Sequence, residues 1–295
     1  LGVFLRSCPD ARIEDVTVTG ASGVGIDVVD SPGVHVERVT FSSSAQAGLF
    51  QFSPGTVIVD LDATQGMFYG LGLHESPDAR LRNVRLDTTH VALNITGSSA
   101  LLARQDIDGS NTVRGKPVLY RYGVSALDLD APITAHLTLV GCEHPIVRNG
   151  SFVGADPISF LFCTGGEFRD SEISGKPSSL RVIGGAGFQV LRNRLLGDSV
   201  TIGQRVSVTG DDCLVRDNLV RGGAGLGIFG SRNRIIRNRF ESCVTGMVMG
   251  GEGFEIRENT FASNQFGIFG GTGTGVVSHN NFLENEYDVI GRWSN

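Results

Sequence analysis

The sequence predicts an all-β solenoid in which short strands from about 13 coils, each of about 22 residues, stack in register on one another. Two nearly identical strings support this architecture: "CPDARIEDVTV" at 8–18 recurs as "SPDARLRNVRL" at 76–86. Between them, "SPGVHVERVTF" at 31–41 and "SPGTVIVDLDA" at 53–63 carry the same apolar pattern. Self-similarity at a fixed short period is typical of repeat proteins, whose units stack on their neighbours.

Each coil divides into three short strands and three turns. A unit of about 22 residues has no room for a helix of about 11 residues together with a strand and its turns. The first strand of a coil opens with glycine and is rich in β-forming residues, as in "GIDVV", "GLFQF", "GLGLH", "GIFGS", "GMVMG" and "GIFGG". In the later strands, period-2 alternation directs one large apolar residue per coil into the interior. This predicted file contains Val18, Phe41, Leu86, Ile107, Phe152, Leu195, Phe240, Phe261 and Phe282.

A turn position two residues before this file holds asparagine in successive coils. The residues are Asn193, Asn218, Asn238, Asn259 and Asn280. Side-chain amides both donate and accept, so at a strand spacing of about 4.8 Å they can form a hydrogen-bonded ladder. We interpret these asparagines as structural rather than catalytic. The residues just before them largely alternate in charge, which predicts ion pairs between neighbouring coils.

The composition fits one elongated domain over residues 1–295. The 41 glycines suit tight bends, and the 19% of charged residues suits faces that are half-buried. A net charge of −6 argues against nucleic acid as a partner. No apolar run approaches the roughly 20 residues of a membrane helix, so we predict no membrane insertion. "LGVFLRSCPD" resembles the end of a strand, and strand edges need caps, so we expect a longer protein with flanking domains.

One segment carries a family resemblance. "NTVRGKPVLYRYG" at 111–123 is similar to the Asn-Thr-Val-Asn-Gly-Lys-Pro-Val-Tyr-Tyr segment of NosD-type proteins, with Arg114 and Leu119 as departures. Their coils are also called the carbohydrate-binding and sugar-hydrolysis repeat. The resemblance implies a single-stranded right-handed parallel β-helix of the pectate-lyase-like superfamily, also called the pectin lyase-like fold, with an irregular coil at about 106–145. It also implies an extracellular, cell-surface or periplasmic location.

Enzymes of this superfamily use carboxylates, Arg or Lys along the face of the first strands. In this chain Asp27, His74 and Glu75 are the catalytic candidates there. Polar residues on or beside that face, and residues of the irregular segment, are candidates for contacting carbohydrate: Asp30, Gln51, Asn94, Tyr120, Arg121 and Tyr122. "TGDDC" at 209–213 resembles the catalytic pair of pectin-cleaving hydrolases, but it follows its strand instead of preceding it. We therefore interpret Asp211 and Asp212 as turn residues.

The sequence gives little indication of a metal site or of a disulfide. The six histidines and three methionines form no pair at metal-ligand spacing, so we predict no metal and no cofactor, except calcium if the protein is a lyase. Among five cysteines, Cys8, Cys142 and Cys163 share one register, and the last two fall in adjacent coils. Adjacent coils bring Cα atoms to a distance that a disulfide accepts. Buried thiols and a disulfide both remain open.

Three functions are compatible with these observations. The leading hypothesis is a carbohydrate-interacting β-helix domain of a secreted or surface protein, with a polysaccharide or glycan as its partner. A second is a polysaccharide lyase, epimerase or glycoside hydrolase that uses Asp27, His74 and Glu75. A third is a structural scaffold or accessory subunit, as NosD-type proteins are. The sequence leaves all three open.

Overall fold

A computed structural model describes residues 2–175, 178–197 and 206–294. These residues form an all-β solenoid of stacked parallel sheets with about 12 turns of roughly 22 residues, which confirms the predicted fold class. Within these ranges there is no helix, and hence none long and apolar enough to cross a membrane. The chain divides into two compact units: unit 1 is Leu1–Tyr122 with Ile133–Val140, and unit 2 is Gly123–Pro132 with Gly141–Asn295. A single domain over 1–295 stays a prediction.

The strands are short and follow one another along the chain. The first fourteen are β1 (Val3–Arg6), β2 (Arg12–Glu14), β3 (Thr17–Thr19), β4 (Val24–Val29), β5 (His35–Ser42), β6 (Gln46–Gln51), β7 (Val57–Met67), β8 (Tyr69–His74), β9 (Ala79–Arg82), β10 (Arg85–Thr88), β11 (Leu93–Thr96), β12 (Gln105–Ile107), β13 (Thr112–Val113) and β14 (Lys116–Tyr122). Those that follow are β15 (Asp128–Asp130), β16 (His136–Val140), β17 (Ile146–Arg148), β18 (Ser151–Val153), β19 (Ile158–Leu161), β20 (Glu167–Arg169), β21 (Glu172–Ser174), β22 (Leu180–Ala186), β23 (Gln189–Leu191), β24 (Arg194–Leu196), β25 (Val206–Asp211), β26 (Leu214–Arg216), β27 (Leu219–Arg221), β28 (Leu226–Phe229), β29 (Arg234–Ile236), β30 (Arg239–Glu241), β31 (Thr245–Arg257), β32 (Thr260–Ala262), β33 (Phe266–Ser278), β34 (Asn281–Leu283) and β35 (Tyr287–Ser294).

In unit 1, each strand pairs in parallel with the equivalent strand of the next coil. One file is β1, β4, β6, β8 and β11. A second is β2, β5, β7, β9 and β12, and a third is β3, β5, β7, β10 and β13. Val3 pairs with Ile26 and His35 pairs with Val57, so one coil separates the partners, as the sequence repeat predicts.

The irregular segment contains a β-hairpin. β13 and β14 pair antiparallel, with Thr112 opposite Pro117, and β14 then pairs in parallel with β16. The two-residue turn consists of Arg114 and Gly115, which both have positive φ, at 48° and 71°. Positive φ at both central residues is the requirement of a type I′ hairpin turn, and glycine meets it without steric cost. The hairpin explains why the sequence repeat is interrupted at this point.

Unit 2 has the same three-file organisation. The first file is β19, β22, β25, β28, β31, β33 and β35. The second is β15, β17, β20, β23, β26 and β29, and it continues into the long strands β31, β33 and β35. The third is β18, β21, β24, β27, β30, β32 and β34. All these pairings are parallel.

The interior of each unit is filled by files of apolar side chains. In unit 2 the rings of Phe240, Phe261 and Phe282 stack on one another, with centroids 4.9 and 5.2 Å apart and planes within 13°. Phe240 and Phe261 are fully buried, whereas Phe282, in the last turn, is half-buried. In unit 1, Phe41 of the predicted file is fully buried as well. Identical residues in register therefore pack as a continuous column.

The asparagine positions form a ladder in unit 2. Asn193 donates from its backbone N–H and from Nδ2 to Oδ1 of Asn218, at 2.9 and 3.0 Å. The same double contact joins Asn218 to Asn238, Asn238 to Asn259, and Asn259 to Asn280, at 2.8–3.0 Å. Each Nδ2 also donates to a backbone carbonyl, at 2.8–3.2 Å. These bonds satisfy polar groups that the bend would otherwise bury unpaired.

The residue before each asparagine makes the bend, and in four of the five coils it carries a charge. Asp217 and Arg237, for example, have φ values of 58° and 54°, in the left-handed region. Arg237 donates from Nε and Nη2 to the two carboxylate oxygens of Asp217 one coil away, at 2.8 and 3.1 Å. Arg192 binds Asp170 in the same bidentate way. Ion pairs therefore run beside the ladder on the outer surface.

We predict that Asn238→Leu lowers the melting temperature more than Thr260→Ala. Leucine removes the acceptor for two donors of Asn218 and leaves its buried N–H unpaired. The cost should be about 3 kcal/mol, because an unsatisfied buried donor and a lost hydrogen bond add together. Thr260 lies in β32, outside the ladder, and is half-buried, so its truncation should cost less. Thermal unfolding followed by circular dichroism measures both, and equal melting temperatures would show that the ladder contributes nothing.

We predict a second effect at low pH. The hydrogen-bonded Arg237 guanidinium holds the pKa of Asp217 below its ordinary value. A carboxyl whose pKa is lower in the folded state stabilises the fold above its unfolded pKa, about 3.9, and loses that contribution as pH falls through the folded pKa. Asp217→Asn should therefore lose less stability than the natural chain between about pH 5 and pH 2. Urea midpoints across this range measure the difference. Arg237→Gln should likewise reduce the loss of stability over this pH range. An unchanged dependence of the urea midpoint on pH in both variants would contradict the assignment of the effect to the Asp217–Arg237 pair.

Candidate functional site

The sequence-predicted polar residues converge on the outer face of the five-stranded sheet of unit 1, made of β1, β4, β6, β8 and β11. We call this surface the five-strand face. It consists of two rows that cross the strands in register: Phe4, Asp27, Leu49, Gly72 and Asn94, and beside them Arg6, Val29, Gln51, His74 and Thr96. Four of the predicted candidates thus lie on successive strands of one face: Asp27 and Asn94 in the first row, and Gln51 and His74 in the second.

Alternation along each strand explains why these side chains point outward. Ile26 and Val28 of β4, Phe50 of β6 and Leu73 of β8 are buried. Since neighbouring residues of a strand point to opposite sides, the residues between or beside them face solvent. Asp27 is one such residue, and it is half-buried.

Asp27 has an unusual carboxylate. Its Oδ1 is buried and has no hydrogen-bond partner within the chain. In register on either side of it lie Phe4 and Leu49, two apolar residues. A buried polar atom without a hydrogen bond is unfavourable, so Asp27 gains when its side chain turns this oxygen outward to a donor from outside the chain.

His74 is held in position at the end of β8. Its Nδ1 lies 2.8 Å from Oγ1 of Thr96 on the next coil. The ring of Phe52 meets the imidazole edge-on, with centroids 5.6 Å apart. Phe52 is exposed, so it adds an aromatic edge next to Gln51 and His74. The sequence analysis did not single out Phe52.

Asp30 and Glu75 belong to the bend rather than to the face. Both have φ of 49°, in the left-handed region. The Glu75 carboxylate accepts from the backbone N–H and the hydroxyl of Ser98, at 2.7 and 3.3 Å. Glu75 therefore supports the next coil, while Asp30 stays exposed at the edge of the face.

The three catalytic candidates are not brought together. Asp27 and His74 are two coils and two residues apart in register, which places their Cα atoms about 12 Å from each other. Glu75 lies one residue further, and its carboxylate is turned toward Ser98, away from the coil of Asp27. Two carboxyl groups that cleave glycosidic bonds stand about 5–9.5 Å apart. The three candidates therefore do not form a carboxyl pair of that spacing.

Tyr120, Arg121 and Tyr122 lie on β14, outside the five-strand face. The structure differs from the prediction for Tyr120, which is only 4% exposed. Its hydroxyl donates to the carbonyl of Ala103 and accepts from the N–H of Gln105, at 2.8 and 2.9 Å, so it anchors the hairpin in the core. Arg121 is exposed and donates to its neighbour's carbonyl, while Tyr122 packs under the guanidinium of Arg104.

An aromatic cluster borders the five-strand face and was missed by the sequence analysis. It consists of Phe68, Tyr69 and His90. Phe68 and His90 stack at 4.2 Å, and Tyr69 meets both rings edge-on. Phe68 and Tyr69 are 45% and 39% exposed. Tyr69 is the first residue of β8, the strand that also carries Gly72 and His74, so the cluster and the face share one strand.

One group of possible metal ligands is present in the described ranges. Ligand atoms of Glu14, His35 and Glu37 lie within 4.8 Å of one another. Both carboxylates are already paired with arginine: Arg12 binds Glu14 at 3.0 Å, and Arg38 contacts Glu14 and Glu37. His35 also bonds Glu37, at 3.0 Å. Arg38 also donates to both carboxylate oxygens of Asp15, at 2.6 and 2.9 Å, so it is shared among three carboxylates.

Of the "TGDDC" pair, Asp212 lies in the turn, with φ of 56°, whereas Asp211 is the last residue of β25. Asp212 accepts a bidentate contact from Arg232, at 2.7 and 2.6 Å. Asp211 accepts from the backbone N–H of Ser231, at 2.7 Å. Both carboxylates are therefore engaged in joining one coil to the next.

Comparison with solved structures gives a weak likeness. The chain is similar to the crystal structure of PfbA, a surface adhesin of Streptococcus pneumoniae, with 13% identity and a TM-score of 0.24. The comparison covers 93% of this chain and 70% of that chain. A likeness this low carries no argument about function. A comparison with curated proteins finds no match.

A family model described as "Periplasmic copper-binding protein (NosD)" matches residues 110–294. Copper in proteins prefers histidine, cysteine and methionine ligands. Among the described residues of this range, no three His, Cys, Asp or Glu side chains bring ligand atoms together. Met247 and Met249 are buried in the core, and Nε2 of His136 lies 3.0 Å from the hydroxyl of Thr138. The residues described here do not fit a copper site.

The family description confirms the predicted location, which is periplasmic, surface or extracellular. The matched range begins at the segment that contains "NTVRGKPVLYRYG", where the sequence resemblance was found. Because the match spans more than half of the chain, the chain belongs to the NosD family.

Proposed function

We propose that the chain binds a polysaccharide on the five-strand face of unit 1, with the aromatic cluster as a neighbouring contact. The observation that carries this proposal is the buried Oδ1 of Asp27, which has no partner within the chain. A sugar hydroxyl is a suitable donor for it, because a hydroxyl can donate to a carboxylate in a charge-assisted hydrogen bond.

The remaining polar residues of the face suit the same class of ligand. Gln51 and Asn94 carry amides, which donate and accept, and His74 offers an imidazole. Asn94, on β11, belongs to the first row, and Gln51 and His74, on β6 and β8, belong to the second. A polymer with several hydroxyl groups per unit can meet such spaced donors and acceptors along successive coils, where a small rigid ligand would reach one or two.

The aromatic residues supply the apolar part of the contact. A pyranose ring has C–H faces, which pack on exposed aromatic rings, and aromatic side chains dominate contact energies at binding surfaces. Phe68 and Tyr69 are partly exposed and held by stacking on His90, so little conformational entropy is lost on binding. Phe52, next to Gln51, provides a second exposed ring.

The charge at Asp27 favours a neutral sugar at that point of the face. Asp27 presents an unpaired carboxylate oxygen, and a uronate would bring a second carboxylate against it. Like charges at close range are unfavourable, more so where water is excluded. The separation of Asp27, His74 and Glu75 supports binding without cleavage. The expectation of no cofactor stays a prediction.

We predict that the protein co-elutes with a neutral polysaccharide in size-exclusion chromatography and leaves the polymer length unchanged, with or without calcium. Asp27→Ala should weaken binding about tenfold or more, since a hydrogen bond to a charged group contributes about 1.5–3 kcal/mol. Asp87→Ala is the matched control, because Asp87 is an exposed carboxylate on β10, outside the face. Equal loss in both variants would point to net charge instead of this site.

Other outcomes would favour the alternatives. Shortened polymer, with activity lost in His74→Ala and Glu75→Ala, would indicate a lyase, epimerase or hydrolase. No effect on any neutral or uronate polymer, together with a protein partner in a pull-down, would indicate a scaffold or accessory subunit.

We predict that the aromatic cluster contributes through its rings. Tyr69→Ala and Phe68→Ala should each weaken binding several-fold, since an aromatic contact contributes about 1 kcal/mol. Tyr69→Phe keeps the ring and should retain most of the affinity. Phe269→Ala, an equally exposed phenylalanine of unit 2, is the control and should have no effect. Affinity electrophoresis in gels that contain the polymer measures all four variants. Unchanged migration of Tyr69→Ala and Phe68→Ala would exclude the cluster from the site.

A further inference from the structure

Two buried cysteines of unit 2 lie next to each other on successive turns. Cys142 and Cys163 both have 0% exposure. The residues that follow them, Glu143 and Thr164, form a parallel β-bridge, and the N–H of Thr164 donates to the carbonyl of Cys142 at 3.0 Å. The two thiols are therefore in-register neighbours in one interior file.

Register excludes other pairings for these two thiols. By the same series of bridges, Val124 precedes Cys142 in the file and Gly185 follows Cys163. Cys213 and Cys243 lie at other turn positions, where their N–H groups donate to asparagine side chains. Cys8 belongs to unit 1. Among the five cysteines, all within the described ranges, Cys142 and Cys163 are the pair that the fold places together.

Their geometry is compatible with a covalent bond. Cα atoms of in-register neighbours on adjacent strands are about 4.8 Å apart, within the roughly 4.4–6.8 Å that disulfides span. Closing the bond must draw the Cβ atoms slightly together, to about 3.8 Å. The pairing here is an isolated bridge rather than part of a long ladder, so the backbone has room for this small shift.

The native pair is poorly reactive. A hydrogen bond with Cys142, together with burial, raises the pKa of the Cys163 thiol. The thiolate is the nucleophile in disulfide exchange, so an external oxidant attacks such a site slowly once the turn has closed. Oxidation therefore belongs to folding, when both thiols are still accessible.

We propose that Cys142 and Cys163 are a modification site, which is oxidised to a disulfide during folding outside the cytoplasm. The oxidant is an external disulfide, such as oxidised glutathione or an oxidised thiol oxidoreductase. The Cys142 thiolate attacks it, forms a mixed disulfide and releases one thiol. The Cys163 thiolate then attacks the Cys142 sulfur and releases the second thiol. The chain loses two electrons and two protons, and the oxidant becomes two thiols. Compartments outside the cytoplasm are oxidising, as this step requires.

The bond would join two turns near the start of unit 2. In a solenoid each turn is held by its neighbours alone. A covalent link between Cys142 and Cys163 fixes the register at this point.

The test unfolds the full chain in guanidinium and refolds it in a buffer of oxidised and reduced glutathione. Remaining thiols are alkylated, and the digested protein is mapped by mass spectrometry. We expect a Cys142–Cys163 cross-linked peptide and alkylated Cys213 and Cys243. The melting temperature of the oxidised chain should exceed that of the reduced chain by about 5 °C. The difference should persist in Cys213→Ser and vanish in Cys163→Ser.

The map of the natural chain decides the question even where a variant fails to fold. Alkylated Cys142 and Cys163 after oxidising refolding would overturn the proposal. Cross-links of either residue to Cys213 or Cys243 at comparable yield would overturn it as well, because they would show that register does not direct pairing.

Discussion

The backbone hydrogen bond between one turn and the next is the interaction on which every other feature of this chain depends. The N–H of His35 donates to the carbonyl of Ala11, and that of Leu219 donates to the carbonyl of Asn193, each about one coil away. Among the described strands, those adjacent in sequence do not pair, apart from the hairpin at 112–122, so each turn takes its register from the turn before it. A shift of one residue would send buried side chains to the surface. The register shifts locally within some of the longer strands, as between Thr40 and Ser42 of β5 and between Ile183 and Gly185 of β22.

The bends share one backbone conformation, the left-handed one, but two kinds of side chain accept from their buried N–H groups. In unit 2 a residue in the left-handed region precedes each asparagine of the ladder. In unit 1 a different bend, the one that follows the first strand of the coil, places Asp30 and Glu75, again left-handed, before serines. The N–H of Ser31 donates to Oγ of Ser53, and the N–H of Ser53 donates to Oγ of Ser76, at 3.1 and 3.0 Å. A left-handed non-glycine residue costs about 1 kcal/mol or more. Side chains that satisfy the buried N–H offset that cost, whether they are amides or hydroxyls.

How much could be predicted from the sequence follows from this dependence on the repeat. Positions that recur once per coil, such as Phe240, Phe261 and Asn238, are predictable because neighbours on every side obey the same period. Asp27, Gln51 and His74 were found because alternation alone assigns them to one face. Tyr120 was expected at the surface but is buried, because it follows a hairpin turn that has no counterpart in the repeat. Phe68, Tyr69 and His90 meet only through a bend between coils, where neither the period of 2 nor that of about 22 applies. Their stacking could not be read from spacing.

The family match and the candidate site occupy different parts of the chain. The match covers residues 110–294, whereas the strands of the five-strand face end at Thr96. In unit 2 the equivalent outer row begins with Ser159, Arg181 and Ser207 and continues in register through Gly227, Val248 and Phe269. The last three positions carry no hydrogen-bonding side chain, so that part of the row cannot orient a polymer of hydroxyl groups. Membership of the family therefore accounts for the solenoid and its location, while the proposed binding activity rests on side chains that the matched region does not contain. Fold and function are separable here for a physical reason: the turns are held by backbone bonds that any outward side chain leaves intact, so the outer face is free to differ from one unit to the other.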